Sequence, residues 1–499
     1  MNLLTLFVIV PLGGAFLTPI FSKFWKGFPD WLGNITSGFL MGLSIWFLRF
    51  SEETFVYYAG GWEPINGIPV GIAMVSDGLT VLMLIIINVV AFLVTIYSVT
   101  YVTHSADKGK YYTLFLLMLA GLNGVVLSGD MFNLFVFLEI TAIASYALVA
   151  FGLEAEALEA SFKYQVLGGA ASVTILLGIA IFYYLTGTLN MADASQILAD
   201  IGSNPAVTFV GILFLVGFSL KAGLMPFHAW LPDAYPSAPA AISAMLAGVG
   251  SKVLGVYTLI RIFFNVFGMA VMPSLLTIFL VLGTLSMVAG AFLALGQKDF
   301  KRLLAYSSIS QIGYVIFAFG LGTPLGILGG LFHLLNHSAF KPLLFFNSGA
   351  VDYATGHRDL ESMGGLSQRM LVTGTTSLIG SLSVSGIPPL GGFWSKLIIV
   401  FAAVESGHYV LAGVAILISI VTLAYYLKVQ KLAFFGALAA GYKRVKEVPA
   451  FMCVSMVVLA VLSLGLGILL LPQLREVVLD PAVKVVQGGV GYAKMVLGG

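Results

Sequence analysis

SLKAGLMPFHAWLPDAYPSAP, residues 219–239, decides how this chain is read. Lys221 lies inside an apolar run of helix length, and Pro226, Pro232, Pro236 and Pro239 follow it. A lysine in hydrocarbon costs roughly 2.5–3.5 kcal/mol on the insertion scale, so it persists where it is paired or used. Proline removes a backbone donor and opens the helix, which a membrane tolerates only inside protein or beside a water-filled cavity. A charge beside a broken helix marks a transport path. The plainer alternative is a lysine that snorkels to the interface.

Composition supports a membrane setting. The chain is 59% apolar and only 9% charged, where soluble proteins carry about a quarter charged residues. A net charge of +2 without a basic tract gives no reason to expect a nucleic-acid partner. Cys453 is the single cysteine, which excludes a disulfide framework or a cysteine-ligated cluster within this chain. No dinucleotide-binding or phosphate-loop pattern is present, so no cofactor is expected. The opening MNLLTLFVIVPLGG lacks a basic leader and reads as a retained first span.

Apolar runs long enough to cross a bilayer fall at 3–20, 31–49, 78–101, 112–128, 131–151, 164–185, 206–230, 238–262, 272–295, 303–322, 326–350, 371–402, 409–432 and 451–472, about fourteen spans in all. Residues 50–77 read as an exposed loop or hairpin, and 188–203 as a short surface helix. Basic residues concentrate in alternate loops: Lys23, Lys26, Lys108, Lys110, Lys163, Lys298, Lys301, Arg302, Arg358, Arg369 and the group from Lys428 to Lys446. Only Arg49 and Arg261 fall in the intervening loops. The positive-inside rule then places both termini outside the cytoplasm, in a multi-pass protein of the plasma membrane. Lys221, Lys252, Lys341 and Lys396 remain within apolar runs, with Glu139 as the one carboxylate at mid-span.

A weak internal repeat organises the chain. Spans four to eight and nine to thirteen form two five-helix units, and the fourth member of each is overlong and proline-broken. The breaks lie at Pro226 and at Pro388–Pro389 in GIPPLGGFWSK, residues 386–396. Interrupted helices at matching places in two halves point to an inverted-repeat transporter. The expected divisions are 1–110 for the first three spans and their loop, 111–262 and 263–432 for the two units, and 433–499 for a loop, the last span and a short tail.

FHLLNHSAFKPLLFF, residues 332–346, sets His333, His337 and Lys341 at i, i+4 and i+8. They lie within about 80° of one helix face and span about 12 Å along its axis. Histidine exchanges protons near neutral pH, and a lysine withdrawn from water can join it. Such a row, linked by water, passes a proton stepwise; polar glue between helices is the alternative. Pro342 is expected to loosen the helix just after the lysine. Glu139, lone acid among four apolar-run lysines, is expected to pair with one of them. At about 4 Å and an effective dielectric of about 20 the attraction is about 4 kcal/mol. The lysine would hold its proton while paired and release it when separated; a static ion pair is the alternative. Two histidines amid lysines make a poor zinc site, so no metal is expected.

The stretches MFNLFVFLE (131–139), 219–239, SKVLGVY (251–257), KRLLAYSSISQIGY (301–314), HLLNHSAFKPLLFF (333–346) and GIPPLGGFWSK occur in the order found in a known family. The chain resembles the antiporter-like subunits of respiratory complex I and of multisubunit Mrp sodium/proton antiporters. The resemblance implies an all-α fold of fourteen helices, with inverted repeats and broken helices seven and twelve. It also implies roles. Glu139 and Lys221 match the family's carboxylate–lysine pair, and Lys252 its central lysine in helix eight. His333 and His337 match its connecting histidines, Lys341 the lysine beside them, and Lys396 its terminal residue in helix twelve. GGWEPINGIPVGIAMVSDGLT (60–80) looks like the Mrp D-type subunit, which also occurs in membrane-bound hydrogenases. A proton-translocating subunit of an Mrp-type cation/proton antiporter is therefore expected, working beside other membrane subunits on protons, with sodium as a second candidate ion. The same module in a redox-driven pump is the alternative, with no redox or catalytic centre in this chain. An independent solute symporter is a third reading.

Overall fold

The long apolar runs form helices because nothing else satisfies their backbone groups in hydrocarbon. A computed structural model of the chain describes residues 3–65, 68–102, 107–268, 271–272 and 274–497. Asn66, Gly67 and Pro273, which belong to stretches discussed above, lie outside it. The chain begins with α1 (Leu6–Phe21) and α2 (Phe28–Phe47), followed by a hairpin that pairs Phe55–Tyr58 antiparallel with Ala73–Ser76. The expected loop is thus a hairpin, and its second strand is buried rather than exposed. Then come α3 (Gly78–Tyr101), α4 (Lys108–Leu127), α5 (Met131–Val149), α6 (Ala155–Thr186) and a short helix, α7 (Met191–Ile201). The seventh span is divided into α8 (Pro205–Ala222) and α9 (Leu231–Ser237). The eighth is α10 (Ala240–Phe267), then α11 (Leu275–Leu295), α12 (Phe300–Gly320) and α13 (Pro324–Thr355). The twelfth is again divided, into α14 (Leu371–Ser385) and α15 (Gly391–Glu405). Last are α16 (Tyr409–Val429), α17 (Ala450–Gly465) and three short tail helices.

Among the described residues, 12 helices are long and apolar enough to cross a membrane. The other two expected spans fall on α13, which carries the polar row, and on the divided pair α14–α15. Both breaks are built alike. Gly223 closes α8 in the left-handed conformation (φ 71°) and Gly386 closes α14 the same way (φ 80°), as a glycine C-cap does. The Met225–Pro226 and Pro388–Pro389 bonds are both cis. The seventh span differs from the sequence expectation in extent: its first half stops at Ala222, and residues 223–230 cross the break as turns.

A repeated corner links the two halves. Asp130 caps α5 by accepting the Asn133 amide at 2.8 Å, and Asp299 caps α12 by accepting that of Arg302 at 2.8 Å. Asp130 bridges to Asn190 just past α6, and Asp299 to Asp359 just past α13. Both long helices end in Thr-Gly, with the glycine left-handed and the threonine hydroxyl bonded back one turn, at Thr186–Gly187 and Thr355–Gly356. These pairs share one constant sequence spacing. The membrane-length helices between the two corners are α5, α6, α8, α10 and α11, an odd number, so the corners face opposite sides and the halves are inverted.

Candidate functional site

In the first half α5, α6 and α8 bring three polar side chains together. Lys221 Nζ donates to Ser172 Oγ at 2.9 Å and lies 3.6 Å from Glu139 Oε1. The Ser172 hydroxyl in turn contacts Glu139 Oε1, and it also reaches the Gly168 carbonyl one turn back at 2.9 Å. The expected pair is present, with a serine between its members. Lys221 is sealed at 4% exposure, whereas the Glu139 side chain retains 30% and opens on the flank of the subunit. The mid-span carboxylate Glu139 is therefore half-buried.

Lys252 occupies the centre of α10, whose whole length is enclosed by other elements. The helix is wound in π form across Leu246–Gly250, Lys252–Tyr257 and Arg261–Phe267. Such winding is rare and concentrates at functional sites. Two glycines on α10 allow close approach on either side of the lysine. A Cβ at Gly255 would sit 2.4 Å from the backbone of Ala222, next to Lys221, and one at Gly248 would sit 2.4 Å from the ring of Pro342, next to Lys341. The central helix thus touches both halves at their lysines. No hydrogen bond joins Lys221 to Lys252 directly; the Lys252 ammonium reaches Ser251 Oγ at 3.5 Å.

The second half gathers the remaining candidates around α13. His333 Nδ1 pairs with Ser395 Oγ at 2.9 Å, while its Nε2 and both ring nitrogens of His337 have no partner among the described residues. Lys341 donates to the Leu304 carbonyl and to Tyr426 Oη, each at 3.1 Å. Among the described residues Lys396 has no hydrogen-bond partner, and it rests 4.7 Å from the Tyr314 ring centroid, where the π face attracts its charge. His337 is close enough to Lys252, Lys341 and His333 for their charges to act on it, and His333 to Lys396. The buried amide of Gln311 is likewise without a protein partner. Buried polar atoms of this kind require water as partner. Pro342 lies inside α13, which continues to Thr355, and its ring packs against Gly248.

A second buried ion pair anchors α10. Arg261 clasps Asp77 through two bonds of 2.7 and 2.9 Å, and its guanidinium lies 5.0 Å from the Tyr492 ring of the tail. Burial alone would push the Asp77 carboxyl up, but Arg261 and the Thr80 amide outweigh it and hold the carboxyl below its ordinary range. Asn265 extends the anchor to the Val485 carbonyl at 2.7 Å. Asp77, Arg261 and the buried Lys301 sit near span edges, so loop counting passes over them. Ser172 carries no local signal. The repeated corners would have found it: at their spacing Ser172 stands in register with Lys341, and Glu139 with Ser308. Among the described residues, no cluster of three or more metal-ligating side chains occurs.

The family model described as "NADH:quinone oxidoreductase/Mrp antiporter, TM" matches residues 128–422, and that of the complex I chain 5 N-terminus matches 62–112. The D-type member of the Na(+)/H(+) antiporter of Alkalihalophilus pseudofirmus is 33% identical over 97% of this chain and 98% of its own length. A chain of the Mrp complex from Dietzia sp. DQ12-45-1b superposes with TM-score 0.90 and 27% identity, covering 99% of each chain. A chain of the membrane-bound sulfane sulfur reductase, an archaeal respiratory membrane complex, does so with TM-score 0.90 and 34% identity, again over 99% of each. This chain is a multi-pass, antiporter-like membrane subunit, and it belongs to the NADH:quinone oxidoreductase/Mrp antiporter family.

Proposed function

We propose that this subunit moves protons along Glu139, Lys221, Lys252, His333/His337, Lys341 and Lys396, within a multisubunit Mrp-type cation/proton antiporter of the plasma membrane. The observation that carries the reading is the placement of Lys252. One enclosed helix holds it and touches the other two lysine neighbourhoods through Gly255 and Gly248. Lysines and histidines suit protons: they bind and release them, and they repel cations. Unlike the gathered ligands of a solute pocket, the groups form a line across both halves. The divisions 1–110, 111–262, 263–432 and 433–499 are the working units of this reading, and the loop charges put both termini outside the cytoplasm.

The 34% identity to a chain of an archaeal respiratory complex favours a second reading, in which the same module serves a redox-driven pump. Purification of the tagged protein from native membranes separates the two. Companion chains without redox centres support the antiporter; iron–sulfur or nickel-bearing companions support the pump. Orientation is tested with cysteine in place of Lys443 in a Cys453→Ser background. An impermeant thiol reagent on intact cells should leave it unlabelled, and ready labelling would invert the assignment.

A further inference from the structure

Resting on the path just proposed, we infer that the Ser172 hydroxyl is the link through which a proton passes between Lys221 and Glu139. The distances favour the hydroxyl over direct transfer. Lys221 Nζ stands 3.6 Å from the carboxylate oxygen, too far for a hydrogen bond, but 2.9 Å from Ser172 Oγ. The same oxygen contacts Glu139 Oε1 on its other side. A hydroxyl both accepts and donates, so it can occupy the middle of such a chain. Lysine and carboxylate each lack one of these two capacities in the ion pair.

The step balances within the three groups. An N–H bond of the Lys221 ammonium breaks as an O–H bond forms at Ser172. The original Ser172 O–H breaks as an O–H bond forms at Glu139. Lys221 is left as a neutral amine, Glu139 as a neutral acid, and Ser172 as a hydroxyl again. The Gly168 carbonyl, 2.9 Å from Ser172 Oγ, supplies a second acceptor. Once Glu139 is protonated the hydroxyl turns its hydrogen to Gly168, which prevents immediate return. Burial gives the arrangement a purpose. Lys221 is sealed and Glu139 is partly exposed, so Ser172 connects an enclosed group to a less enclosed one.

The experiment uses vesicles containing the whole complex, with assembly checked by immunoblot, and compares Ser172→Ala, Ser172→Thr and Glu139→Gln. Removing the hydroxyl should lower proton flux at least about tenfold, and threonine should restore it to within about twofold. Full flux in Ser172→Ala beside an inactive Glu139→Gln overturns the inference while leaving the path intact. Equal loss in the alanine and threonine variants assigns Ser172 to packing and also overturns it. An active Glu139→Gln removes the path itself.

Discussion

The two halves share a frame and differ in the charge they enclose. Capped corners, long Thr-Gly-terminated helices and glycine-closed breaks recur in both, at Asp130 and Asp299, Thr186 and Thr355, Gly223 and Gly386. In the first half the buried lysine has a carboxylate within 3.6 Å. In the second, Ser308 stands in register with Glu139, and Lys341 with Ser172. Lys341 is served by a carbonyl and a phenol, and Lys396 by an aromatic face. A buried cation without a counter-ion costs several kcal/mol, and among the described residues no carboxylate pairs with Lys341 or Lys396, so on the proposed path a proton there would rest on neutral dipoles. On the proposed path the first half would hold charge, and the second would pass it on.

That contrast is broken most severely by removing the held charge. Glu139→Gln and Lys221→Met should each reduce proton flux by about a hundredfold or more in assembled complex. Near-normal flux in either, measured in vesicles, would mean that the pair only fixes helix packing. Lys396→Met, at the far end, should match these losses. A double variant with Lys221→Met should be no worse than either single one, because a series path already broken cannot be broken further.

The contrast is sharpened by making the second half resemble the first. Ser308 and Lys341 both bond to the Leu304 carbonyl, at 2.9 and 3.1 Å, so Ser308→Glu sets an acid beside the lysine. An attraction of about 4 kcal/mol at contact distance would hold Lys341 charged and slow transport by roughly tenfold, with assembly preserved. Unchanged flux would show that the missing acid has no bearing on the mechanism. A smaller effect on transport is expected at the anchor shared by both halves. Asp77→Asn leaves the Arg261 charge unpaired and should lower stability by about 3 kcal/mol, read as a fall in thermal midpoint, while flux drops only a few-fold. A variant with normal stability would remove the anchor from the account.

Much of this is legible in the sequence because a membrane restricts what a chain can do. Charges in apolar runs stand out, and Lys221, Lys252, Lys341, Lys396, His333 and His337 are each buried as their positions in those runs imply. The breaks announce themselves through Pro226 and Pro388–Pro389. What stays hidden has physical reasons. Ser172 is one small hydroxyl among many, and its importance arises from three helices converging. The π winding around Lys252 leaves no composition mark, since glycine and apolar residues, as in LAGVG and KVLGVY, are common in regular membrane helices too. The half-exposure of Glu139 depends on which face of α5 meets its neighbours, and that helix is apolar almost all round. The contact of Pro342 with Gly248 is hidden as well, because it depends on how closely α10 and α13 approach.

The central claim is that the two halves form one path through α10. Lys252→Met tests it most directly, because methionine has similar length, removes the only titrating group at the centre and adds no buried charge. Proton flux is measured in vesicles, with assembly confirmed by immunoblot. The account predicts flux as low as in Lys221→Met, with stability unchanged or raised. Substantial flux through assembled Lys252→Met would contradict it, and the halves would then work apart.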